Sequence, residues 1–191
     1  KAALESTTGG EVVLGGDIEL SAQITVPKKT EHTLDLNGHK ITGGIYVYGT
    51  LTINDNVGTG SITANTYVLN GAGGSIIILN GGKIYRASSW SVYTTGIFVV
   101  NGGKVENTIR VAGSGSIQLN GGTVTNVQVT SGNLNITNSG ATVAGNLNIE
   151  KGAKSVNISA GTINGDVAIA PEAAGKVEVS GGSFKYADAV K

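Results

Sequence analysis

A unit of about 20 residues recurs along this chain, and it is the repeat, more than any local propensity, that restricts what the chain can become. Its pattern is apolar-x-apolar, then Asn or Ser, then usually Gly-Gly or a near substitute, then x-apolar. It reads VVLGGDI from Val12, LDLNGHKI from Leu34, IILNGGKI from Ile77, VVNGGKV from Val99, IQLNGGTV from Ile117, VNISAGTI from Val156 and VEVSGGSF from Val177, with weaker copies at Leu51 and Leu134. With Leu34, Leu51, Ile77, Phe98, Ile117, Leu134, Val156 and Val177 as equivalent starts, the steps are 17, 26, 21, 19, 17, 22 and 21 residues. Between them lie further apolar-x-apolar pairs, including Ile24/Val26, Ile45/Val47, Ile109/Val111, Val127/Val129, Leu147/Ile149 and Val167/Ile169.

Alternation with period two places the apolar residues of each short run on one side of a strand. A unit this short, with two or three strands and no helix, cannot bury that side alone and must stack on its neighbours. The expected fold is therefore all-β, a single-stranded right-handed parallel β-helix of about nine coils. The right-handed form is expected because the step length varies. A leucine-rich solenoid needs a helical segment in every unit, and no coil has an apolar 3.6 period. The chain reads as one domain, 1–191: an N-terminal cap at 1–10, coils at 11–184 and a tail at 185–191. In the cap, Ala2, Ala3 and Leu4 are expected to form a short helical turn over the first coil. At the other end the chain stops without a helix, so either it continues in the natural protein or Phe184 and Tyr186 fold over the last coil.

The composition agrees with this: 31 glycines and only 14% charged residues suit a turn-rich β protein. Acidic and basic residues balance at 13 each, without the basic concentration that a nucleic-acid surface needs. Cysteine is absent, which removes disulfides and thiolate chemistry. No apolar run has the length of a membrane-spanning helix, so membrane insertion is not expected.

The Asn-Gly-Gly copies could be phosphate cradles or calcium loops. A phosphate loop needs a following helix with Lys and a hydroxyl, and calcium-binding β-rolls need an aspartate at each nine-residue step; neither pattern is present. Asn37, Asn80, Asn101 and Asn120, with Gly81, Gly82, Gly102, Gly103, Gly121 and Gly122, are therefore assigned to structural corners. Positive φ favours these residue types, and stacked asparagines can bond to one another along the axis.

The order GGEVVLGGDIEL…ITVPKKTEHTLDLNGHKITG from Gly9 to Gly43, followed by LTINDNVGTGSI and coils of LNGGxV, resembles the right-handed β-helix modules of the pectate-lyase-like superfamily. In particular, it is similar to those repeated in large bacterial cell-surface and secreted proteins. The resemblance implies an extracellular or cell-surface location and a place within a larger polypeptide. It does not imply one activity, since this fold carries lyases, hydrolases, adhesins and phage tailspikes.

Chemistry on uronate sugars or glycosides requires grouped carboxylates, and the acidic residues here are scattered over different coils. Asp35 and Glu178 take the x of apolar-x-apolar, where the intervening coils carry Thr52, Ile78, Val99, Gln118, Asn135 and Asn157. His32 and His39 read as surface or turn residues. No catalytic residue, metal site or cofactor is assigned, and the balance leans away from an enzyme without excluding one. The segment least like the repeat is KIYRASSWSVYTTGIFVV, Lys83 to Val100, with the only Trp. Exposed aromatic rings stack on sugars, so Tyr85, Arg86, Trp90 and Tyr93, together with Tyr46, form the candidate glycan-binding set; Tyr48 and Tyr67 would extend it. The bland alternative is that Trp90 covers the flank of the helix. Three readings stay open: a non-catalytic structural or adhesive rod of an exported bacterial protein, a carbohydrate-binding or carbohydrate-active domain whose partners are polysaccharides or host or neighbour-cell glycans, and a phage fibre segment.

Overall fold

The computed structural model describes residues 1–185. Among the described residues 22 short strands pair in parallel with their equivalents one coil on, and the chain winds into a β-solenoid of about eight turns. The sequence count of nine is close. Each coil carries three strand segments, so the body has three faces. The first face runs through Gly10–Val13, Glu31–Asp35, Thr50–Asn54, Ile76–Leu79, Ile97–Val100 and Ser116–Leu119. The second begins with Ile18–Glu19, Lys40–Thr42, Ser61–Thr63 and Lys83–Tyr85. The third contains Ile24–Val26, Ile45–Val47, Leu69–Gly71, Trp90–Thr94 and Val167–Ile169. From residue 104 the strands lengthen and pass round corners, so that Thr123–Ile136 contributes to all three faces in turn.

Period two decides the interior. On the first face Leu51, Ile77, Phe98, Ile117, Leu134 and Val156 stack in register, all 0–1% exposed. On the second face Ile41, Ile62, Ile84, Val105, Val124 and Val143 do the same. Each such side chain contributes about 1.5–3 kcal/mol of burial, which is how coils that could not fold singly hold together as a stack.

One start in the repeat slips by two residues. His32, not Leu34, pairs with Leu51, so the first of the steps is 19 residues. His32 therefore points inward, 2% exposed, and is not the surface residue its isolation suggested. Its Nε2 lies 3.0 Å from the carbonyl oxygen of Ser6, which ties the N-terminal segment to the first complete coil. The same slip moves Asp35 off the row of Glu178: Thr33 pairs with Thr52, and Asp35 pairs with Asn54. Of the cap residues only Leu4 is buried, at 3%, within a turn closed by Leu4 N–H to the Lys1 carbonyl; Ala2 and Ala3 stay exposed. At the other end Phe184 continues the second-face row beside Ile163, and Tyr186 lies outside the described residues. A 3₁₀ turn, Pro171–Lys176, follows the last third-face strand and buries Ala173.

Candidate functional site

The Asn-Gly-Gly corners are built for stacking. Asn80 Nδ2 donates to Asn54 Oδ1 at 2.9 Å, Asn101 Nδ2 to Asn80 Oδ1 at 2.9 Å, and Asn120 Nδ2 to Asn101 Oδ1 at 3.0 Å. Asn80 and Asn101 thus each spend one donor and one acceptor on their neighbours, while Asn54 accepts at one end of the ladder and Asn120 donates at the other. After Asn101 and Asn120 the first glycine is required by closeness: a Cβ on Gly102 would collide with the Asn80 carbonyl oxygen, and one on Gly121 with that of Asn101. The second is required by conformation, with φ of +72° at Gly103 and +68° at Gly122. Asn37 stands outside this ladder. It turns with φ +46°, and its Nδ2 bonds the Leu14 carbonyl.

Two carboxylates are committed to the same kind of work. Asp35 accepts from the Asn37 N–H at 2.8 Å and from Asn56 Nδ2 at 2.6 Å. Asp55 accepts from the N–H groups of Gly38 at 2.8 Å and Gly60 at 2.7 Å. They replace the asparagine ladder in the early coils, where the corner is less regular. Among the described residues no group of three or more His, Asp or Glu is arranged to hold a metal ion. No helix among them is long and apolar enough to cross a membrane.

The irregular segment around Trp90 forms a cluster at the corner between the second and third faces. The register shifts between Trp90, which pairs with Thr108, and Val92, which pairs with Ile109. Ser91 is the extra residue; it is fully buried, and its hydroxyl donates to the Glu106 carbonyl. This bulge leaves Trp90 half-buried on the outside while Val92 enters the core. Tyr67, one coil earlier, lies parallel to it, with ring centroids 6.3 Å apart and planes 2° apart. Tyr93 points outward from the same strand, 6.4 Å from Trp90 and 5.8 Å from Tyr67. The Arg110 guanidinium sits 4.1 Å from the Trp90 ring centroid, and Arg86 sits 5.7 Å from that of Tyr67. The indole N–H donates to Gln128 Oε1 at 2.9 Å, and Gln128 Nε2 donates to Glu150 Oε1 at 2.6 Å.

Of the sequence candidates, then, Arg86, Trp90 and Tyr93 come together, with Tyr67 as their fourth member. Tyr46 shares the third face and stacks on Tyr48 at 6.5 Å, with Asn70 between it and Tyr93 in the register. Tyr85 does not join them: it points out from the second face, where Lys83 Nζ lies 5.1 Å from its ring centroid. Arg110, Gln128 and Glu150 were not among the candidates. A usable signal existed for the first two, since each is the x of an apolar-x-apolar pair, between Ile109 and Val111 and between Val127 and Val129, and so must point outward one coil apart.

On the second face Glu106 is held between two lysines, with Oε2 2.8 Å from Lys83 Nζ and Oε1 2.8 Å from Lys104 Nζ. Hydrogen bonds from Lys104 and then Lys83 hold its carboxyl below the usual range, against an opposing effect of burial. The chain matches no protein-family model, no curated protein and no solved structure.

Proposed function

We propose that this chain is a rigid, non-catalytic display rod, a structural or adhesive module of an exported bacterial surface protein, wound in the right-handed sense of the pectate-lyase-like β-helices it resembles. The observation that carries this reading is the asparagine ladder from Asn54 to Asn120, because it adds a continuous side-chain hydrogen-bond chain to the backbone ladders along the axis. Stiffness is the property such stacking supplies, and a stiff rod holds outward side chains at a fixed spacing of about 4.8 Å per coil. The two aspartates of the early corners support the same reading, since both carboxylates accept bonds that close turns.

The test is to incubate the protein with a panel of polysaccharides and measure new reducing ends and unsaturated uronate absorbance. No product on any of them is expected; product formation on one would overturn the non-catalytic reading.

A second reading, carbohydrate binding, is favoured by the outward cluster of Tyr67, Trp90 and Tyr93 flanked by two arginines. On this reading a glycan array gives hits that Trp90→Ala removes.

A further inference from the structure

The outward side of the first face carries no charge over most of its length. From Thr50 and Thr52 to Ser155 and Asn157, two outward rows run along the axis through six coils without an Asp, Glu, Lys or Arg. Within these rows Ile76 and Ile78 stand on one coil and Ile97 and Val99 on the next, paired in register as a two-by-two block. They take positions that the other four coils fill with Thr, Ser, Gln or Asn. All four are half-buried, and none belongs to the hydrophobic core. The coil before the block presents Thr50 and Thr52, and the coil after it presents Ser116 and Gln118.

We propose that this face docks a second copy of the chain, packed face to face with its axis reversed. An apolar centre inside an uncharged polar rim is the anatomy of a protein interface, and sheets pack on one another through such faces. The rows read alike from either end: polar, apolar, apolar, polar. A two-fold axis along the strand direction, between the two coils of the block, therefore sets Ile76 against Ile97 of the second copy and Ile78 against its Val99. The same axis sets Thr50 against Ser116 and Thr52 against Gln118, hydroxyl and amide groups that can bond to one another.

Charge decides for a second copy. Continued toward the ends, the reversed pairing sets Glu31 against Asn133 and Glu11 against Asn157, so no carboxylate faces another. The exposed Lys154, next to Ser155, comes to the end that carries Glu11. A foreign protein is steered and selected largely through complementary charge, which this face does not offer. Size sets the strength. Six coils at about 4.8 Å and strands of four residues at about 3.3 Å make a face of roughly 29 by 13 Å. That is smaller than the about 800 Å² per partner of a stable complex. The dimer is therefore transient and dissociates on dilution. It leaves the second and third faces uncovered, so the pair carries two Trp90 clusters on its outside.

Sedimentation velocity at loading concentrations from about 10 µM to about 1 mM should show a reversible monomer–dimer exchange. Ile78→Lys puts a charge in the centre of the block and should abolish the dimer. Tyr85→Lys adds the same charge on the second face and should leave it unchanged. A lysine in the block also changes packing there, so the decisive variants lie at the rim, where Thr52 and Gln118 face each other only in the reversed pairing. Thr52→Lys with Gln118→Lys sets like charges opposite and should weaken the dimer about tenfold. Thr52→Lys with Gln118→Glu sets opposite charges together and should bind about tenfold tighter than the first double variant, a gap that closes in high salt. A parent chain that stays monomeric at every concentration overturns the proposal, and so does a trimer. A dimer that both double variants weaken equally overturns it too, since the contact then uses another face or another direction.

Discussion

At Gly102 the missing side chain is the structural requirement. A methyl group there meets the Asn80 carbonyl oxygen of the coil before, and that carbonyl belongs to a stacked backbone with no room to retreat. Gly102→Ala is expected to cost about 1–3 kcal/mol, the usual range for overpacking a tight site, measured by the shift of the urea midpoint. Glu106 offers a second test, in its pH dependence. Its folded carboxyl ionises below its ordinary value because Lys104 and Lys83 donate to the charged form. Stability from these contacts is thus fully present above the unfolded-state value and is lost as pH falls through the folded one. Both lysines are partly exposed, so each pair contributes only about 0.2–1 kcal/mol. Thermal melts should show Glu106→Gln less stable than the parent near neutrality, with the difference closing in acid. A difference that persists unchanged in strong acid would assign the effect to packing.

At the scale of an element, the ladder of four asparagines behaves as a unit. Asn80 and Asn101 are its interior members, and Asn101 donates to Asn80 and accepts from Asn120. Asn101→Ala removes both bonds, but water can reach this corner, so the expected loss is about 1 kcal/mol. Asn80 and Asn101 are both exposed, so the ladder adds specificity of register more than burial energy. In the early coils aspartates do this work by accepting backbone N–H groups. That is why LDLNG looks like the later LNGG corners and yet is offset from them by two residues.

For the whole molecule, a stack whose coils touch only their neighbours has no distant contacts to protect its ends. Amide hydrogen exchange should be slowest in the strands from Thr50–Asn54 to Ser116–Leu119, which have a partner on both sides, and fastest in Gly10–Val13 and Val177–Val179. Uniform protection along the rod would contradict this nearest-neighbour picture.

The solenoid itself was legible in the sequence, because each strand announces its inward side by alternation and every coil repeats the message; from Leu51 to Val177 the inferred starts coincide with the paired residues. The neighbours of the irregular segment were not. Tyr85 and Trp90 are five residues apart and look like one patch, yet a corner lies between them and sends them to different faces, while Arg110 reaches Trp90 from the following coil. Periodicity determines which residues point inward, since that depends only on the strand geometry of each run. Which outward residues meet depends on where the corners fall and on the inter-coil register, and those were decided only when the coils packed together.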